Sequence, residues 1–103
     1  MIAVTICYPT GIAFDREYYT SKHMPMVRAG FGQFGLRRDE VRAIVGTPAG
    51  GPARYQIVTS LYFDDMKAVG AAFGSPEGRA AVKDIPNFYA GEAEVMLGEI
   101  APG

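Results

Sequence analysis

The sequence predicts an α+β fold of split βαββαβ order, with a four-stranded antiparallel sheet and helices on one face. Three observations carry that expectation. Apolar residues recur with period two near the start and again at 55–63, which marks strands. A capped segment of helical character follows each of these runs. A loop rich in Gly and Pro, residues 46–53, joins two strand-like runs with no helix between them.

In the first run Ile2, Val4, Ile6 and Tyr8 alternate with Ala3, Thr5 and Cys7, and Pro9-Thr10-Gly11 ends it. Asp15 then has the character of an N-cap, with Glu17 in the first turn, where negative charge is favourable. Phe14 and Tyr19 have the spacing of a hydrophobic staple. A helix is therefore expected from about Arg16, kinked by Pro25 or split after Met24, continuing to about Phe31 and ending among Gly30, Gly32 and Gly35.

Val41–Val45 is the expected second strand and Tyr55–Phe63 the third. In the third, Tyr55, Ile57, Thr59, Leu61 and Phe63 share one face and Gln56, Val58, Ser60 and Tyr62 the other. Asp64 is the expected cap of the next helix, with Met66, Val69, Ala72 and Phe73 on one side and Gly74 at its end. Ser75 and Pro76 start a second helical piece as N-cap and N1, running to about Lys83. Residues 92–100 form the last expected strand.

This order is that of a ferredoxin-like protomer. Two helices cover one sheet face, and the other face needs cover from outside the protomer. An apolar face of that size is expected to pair with a second copy, sheet on sheet, as a homodimer.

The 103 residues allow one domain, 1–103, and the 49% apolar content argues against disorder. Ten Lys and Arg stand against eleven Asp and Glu, with no basic stripe, which excludes nucleic acid as the expected partner. No apolar run is long enough to span a bilayer, so no membrane role is expected. The first residues read as a strand and not as a signal peptide. The single Cys7 allows no internal disulfide, which fits a cytoplasmic setting.

Phe14-Asp15-Arg16-Glu17-Tyr18-Tyr19-Thr20-Ser21-Lys22-His23-Met24-Pro25 resembles the signature of EthD-like proteins, which carry Phe-Asp, a Tyr pair and His-Met-Pro in the same register. Phe73-Gly74-Ser75-Pro76-Glu77-Gly78 and Asp84-Ile85-Pro86-Asn87-Phe88 agree with it. The resemblance implies a dimeric α+β barrel and a pocket between helices and sheet, lined by the first helix. Barrel relatives include cofactor-free monooxygenases and a lactone isomerase, so the fold alone does not choose a reaction.

His23 is the sole histidine, and Tyr19 lies one helical turn before it on the same face. An imidazole facing an apolar cleft can shuttle a proton near neutral pH, and a phenol of Tyr19 or Tyr18 can hold a substrate oxygen. The competing reading is plain packing of these rings onto the sheet, with polar tips bonded to backbone. Tyr18, Tyr8, Tyr62 and Phe88 are the expected ligand-binding residues, for a small hydrophobic molecule.

One His and one Cys cannot build the usual metal sites, and neither metal nor cofactor is expected. Cys7 reads as a buried small hydrophobe. The G-x-G-x-x-G at 30–35 follows a helix and not a strand, so it is no dinucleotide fingerprint. Two functions remain open: a cofactor-independent oxidoreductase or isomerase using His23, or a non-catalytic accessory protein that carries a metabolite for a neighbouring oxygenase system.

Overall fold

A computed structural model describes residues 1–102. The chain runs β1 (Ile2–Pro9), α1 (Arg16–Tyr18), a π-helical turn (Tyr19–His23), α2 (Met24–Gly32), β2 (Leu36–Ala43), β3 (Tyr55–Phe63), α3 (Met66–Gly74), α4 (Pro76–Asp84), a 3₁₀ turn (Ile85–Asn87) and β4 (Glu94–Glu99). The sheet order is β2-β3-β1-β4, with every neighbour antiparallel. The predicted α+β ferredoxin-like architecture is the observed one.

The core lies between sheet and helices. Val4 and Tyr8 of β1 and Ile57, Leu61 and Phe63 of β3 are buried against Tyr19, Met24, Val27, Phe31, Val69, Ala72 and Ala81. This follows from period two: β1 and β3 each send alternate residues to the helix side, and those residues are the large apolar ones.

The first helix is irregular at the place where a kink or a split was expected. Its path is not split after Met24; Tyr18, Tyr19, His23 and Met24 all have right-handed helical backbone angles. The irregularity is a π-helical turn ahead of the proline, in which the Met24 N–H donates to the Tyr19 carbonyl five residues back. Pro25 then falls at the start of α2, where its missing N–H costs little. Asp15 caps α1 as expected, its carboxylate accepting from the Tyr18 N–H at 3.0 Å.

The second strand spans Leu36–Ala43 and not 41–45. It is an edge strand whose Arg37, Arg38, Glu40 and Arg42 are exposed, and charge on an edge guards against pairing with another chain. The apolar signal therefore misplaced it; Val45 is fully exposed. The last strand is likewise shorter than expected. Asp65, not Asp64, caps α3, accepting from Ala68 N–H at 2.9 Å, while Asp64 pairs with the Arg37 guanidinium. Ser75 caps α4, accepting from Gly78 N–H at 3.0 Å. Gly78 lets α4 start hard against α3, since a Cβ there would lie 2.1 Å from the Ala72 carbonyl oxygen.

The open sheet face carries Ala3, Thr5 and Cys7 beside Val58, Ser60 and Tyr62, and β2 adds Arg38, Glu40 and Arg42. The face is thus mixed in polarity, not the apolar surface expected from β1 alone. Cys7 is buried there, and burial raises its thiol pKa. On the helix side, β4 is left uncovered: Val95 and Leu97 pair with Ile6 and Val4, yet are 56% and 54% exposed.

Candidate active site

The π-helical turn gives His23 its place. Such turns insert one extra residue per turn and often occur at functional sites. The imidazole is 5% exposed and stacks on Tyr19, with ring centroids 5.3 Å apart and planes 18° apart. Phe88 closes the other side, its ring centroid 4.5 Å from that of His23. The segment carrying Phe88 is held to the start of α1: the Asp15 N–H donates to the Phe88 carbonyl at 2.9 Å, and Phe14 bridges Tyr89.

The end of α4 brings Asp84 to this ring. Its Oδ2 lies 2.9 Å from His23 Nδ1. Its Oδ1 accepts from the Tyr18 hydroxyl at 2.6 Å and from the Asn87 side-chain amide at 2.9 Å. The 3₁₀ turn at Ile85–Asn87 folds Asn87 back onto the carboxylate. An ionised carboxylate only accepts, so Nδ1 carries the hydrogen and Nε2 keeps its lone pair. Nε2 makes no hydrogen bond among the described residues and is not one of the buried unpaired atoms, so it keeps some contact with solvent.

Charge and burial agree with this assignment. Burial holds the His23 pKa below its usual value, with the Asp84 hydrogen bond and charge opposing that fall. At Asp84, burial pulls upward, but the hydrogen bonds from Tyr18, Asn87 and His23 outweigh it and keep the carboxyl below the ordinary range. The pair is therefore a neutral imidazole beside a carboxylate at neutral pH.

Beside His23 is a small cavity of about 40 Å³, lined by hydrocarbon from Ile6, Val27, Phe31, Leu61, Phe73 and others, with Tyr8 and His23. Beyond Phe73, Val82 and Ile85 a larger apolar groove of about 380 Å³ runs to Pro86, Ala93 and Val95.

The expected site residues divide. Tyr8 lines the cavity and is fully buried; burial raises its phenol pKa far above the ordinary value. Phe88 and Tyr18 both contact the His23–Asp84 group, as ring wall and as donor. Tyr19 is beside His23, but its hydroxyl is bonded to the Thr59 hydroxyl and it does not line the cavity. Burial raises its pKa, partly offset by Thr59. Tyr62 is a correction: it lies on the opposite sheet face under the Arg38 guanidinium, 3.9 Å from its ring centroid. Period two makes that inevitable, since Tyr62 alternates with Leu61 and Phe63.

Sequence reasoning missed Asp84, Asn87, Thr59 and Phe73 as site residues. The signal for the first two was present in Asp84-Ile85-Pro86-Asn87-Phe88, where a carboxylate and a carboxamide flank a proline-fixed turn. Thr59 was on the correct face of β3 but carried no chemical signal by itself. Among the described residues no group of three or more His, Cys, Asp or Glu could hold a metal, and no helix is long and apolar enough to cross a membrane.

A βαββαβ fold with a buried histidine–carboxylate pair beside an apolar cavity defines a small α+β protein with a candidate site between helices and sheet. Residues 11–92 match the EthD domain. The chain is 36% identical over 99 residues to an uncharacterised 11.0 kDa protein from the thcB–thcC intergenic region of Rhodococcus erythropolis, covering 94% of this chain and 92% of that one. Its structure is similar to that of an ethyl tert-butyl ether degradation (EthD) family protein of Bacillus halodurans, with a TM-score of 0.83 and 28% identity, covering 98% and 99% of the two chains. It also shares its fold with SnoaB of Streptomyces nogalater, described as a cofactor-independent oxygenase, with a TM-score of 0.72 and 12% identity, over 99% and 94%. The chain belongs to the EthD family.

Proposed function

We propose that this protein binds a small hydrophobic metabolite beside His23 and transfers a proton with that imidazole, as a cofactor-independent oxidoreductase or isomerase. One observation carries the reading: Asp84 occupies Nδ1 of a buried His23 whose side chain lines an apolar cavity, so Nε2 is the nitrogen left to accept a proton. Nε2 would take a proton from an O–H or an activated C–H of the ligand. The imidazolium so formed is stabilised by the Asp84 carboxylate. In an isomerisation the same proton returns to another carbon; in an oxygenation the ligand carbanion adds dioxygen, takes the proton back from the imidazolium as a hydroperoxide, and loses water with cleavage of the O–O bond to leave a carbonyl, the ligand supplying all four electrons. SnoaB, a cofactor-independent oxygenase, is an example of the second course on this fold.

Tyr8, in the cavity lining, would orient a ligand oxygen with its phenol once that hydroxyl turns from its neighbour Tyr19. The experiment is turnover of ligands found by screening, for the wild type and for His23→Gln. Loss of turnover with folding intact supports the reading, and unchanged turnover removes His23 from the mechanism.

The accessory reading rests on a different observation. The cavity of about 40 Å³ is far smaller than the several hundred Å³ of a metabolite pocket. Saturable ligand binding without turnover, alone or with an oxygenase system, would favour a carrier. A cytoplasmic homodimer paired through the open sheet face fits either function, and sedimentation at twice the chain mass would test the pairing.

A further inference from the structure

We propose that the Phe73 ring is the gate of the His23 cavity, and that the ligand is a flat apolar ring system with one acidic O–H or C–H, entering from the groove beside β4. This rests on the reading of His23 as proton acceptor.

The cavity holds little more than a water, so any metabolite must enlarge it. The groove beside β4 adjoins it, and the two share Ile6, Phe73, Val82 and Ile85 in their lining. Moving one of these side chains aside widens the passage between the two spaces. Ile6 is fixed in β1, in the middle of the sheet. Ile85 belongs to the 3₁₀ turn that holds Asn87 on Asp84, so displacing it would dismantle the site. Val82 is branched at Cβ and has little rotamer freedom on a helix.

Phe73 differs from the other three. It is half-buried in the last turn of α3, between Gly70 and Gly74, and a Cβ at either glycine would meet nothing within 4 Å. Its one aromatic partner is Phe31, edge-on at 4.9 Å between centroids. It also lines an adjoining apolar hollow of about 340 Å³ with Val4, Met66, Val95 and Leu97, which gives the displaced ring somewhere to go.

The ligand class follows from the walls. Apart from His23 and Tyr8, the cavity is hydrocarbon, so a charged or polyhydroxylated molecule would enter without compensating partners. The rings of Tyr8, Phe31 and Phe73 in that lining offer faces and edges on which a flat ring packs. A single ionisable hydrogen matches the single free acceptor, Nε2.

The test uses 2-naphthol, a flat apolar ring with one acidic hydroxyl, whose fluorescence reports both binding and ionisation. Association rates and affinities are measured for the wild type, Phe73→Ala, Phe73→Trp and His23→Gln, each checked for folding by thermal melting. The expected result is saturable binding to the wild type, several-fold faster association with Phe73→Ala and several-fold slower with Phe73→Trp. Equal association rates in folded wild type and both Phe73 variants would overturn the gate, while weaker binding by His23→Gln would still support the proton acceptor. Unchanged affinity and ionisation in His23→Gln would overturn the acceptor, whatever Phe73 does. Absence of binding by both the wild type and Phe73→Ala would overturn the ligand class.

Discussion

His23 Nδ1 lies 2.9 Å from Asp84 Oδ2, across 61 residues of chain, and both side chains are less than a tenth exposed. The contact joins the π-helical turn to the end of α4 and decides which imidazole nitrogen faces a ligand. Replacing Asp84 by Ala would leave the Tyr18 hydroxyl, the Asn87 amide and the His23 N–H without their common acceptor. Of these only the His23 N–H is buried, and a desolvated donor costs about 1–3 kcal/mol when orphaned. Urea unfolding should show a loss in that range, and turnover or ligand binding should fall further than stability does.

Acid should destabilise the protein in two stages. The folded-state pKa of His23 lies below its unfolded value, so the unfolded chain binds more protons once the pH drops through the ordinary histidine range. Stability therefore falls with pH there, a slope that levels off below the folded pKa. Asp84 is also depressed, and its contribution, present above the ordinary carboxyl range, is lost as the pH falls through its folded value. Denaturant midpoints from neutral pH downward should show both declines, and His23→Gln should remove the first and weaken the second, since His23 helps to hold Asp84 low.

The buried hydroxyl pair of Tyr19 and Thr59 ties the π-helical turn to β3. Thr59→Val should strand the Tyr19 hydroxyl in the core, at a cost of about 1–3 kcal/mol. Adding Tyr19→Phe should recover part of the loss, since no unpaired hydroxyl then remains. A double-mutant cycle on unfolding free energies measures the recovery; strict additivity would mean that the two hydroxyls do not interact.

Neighbouring aspartates at the start of α3 should respond unequally. Asp65 accepts from the Ala68 N–H, and loss of such a cap costs about 1 kcal/mol. Asp64 makes a solvent-exposed pair with Arg37, of a kind that contributes little. Thermal melts should show Asp65→Ala shifted clearly downward and Asp64→Ala close to wild type.

Much of this architecture is written locally. The alternation in β1 and β3, the Asp15 and Ser75 caps and the Phe14–Tyr19 staple each report a neighbour a few residues away, and all are present, the staple as a ring contact of 5.0 Å. The edge strand β2 was not legible in this way, because an edge is solvated and its charges hide the apolar period. The same holds for the cap at Asp65, where two adjacent aspartates compete and only backbone geometry decides. In the site, His23 could be singled out from its motif, but its partner Asp84 depends on tertiary packing. Tyr62 could have been set aside from alternation alone. Phe73 emerged only once the helices and β4 had been placed around it.

The central claim is tested most directly by ¹⁵N NMR of the single histidine across a pH titration. A neutral His23 with its proton on Nδ1, a free Nε2, and a pKa below the ordinary histidine value is the predicted result, with Asp84→Asn disturbing the tautomer. A ring protonated on Nε2, or one that titrates as a solvent-exposed histidine and ignores Asp84→Asn, would contradict it.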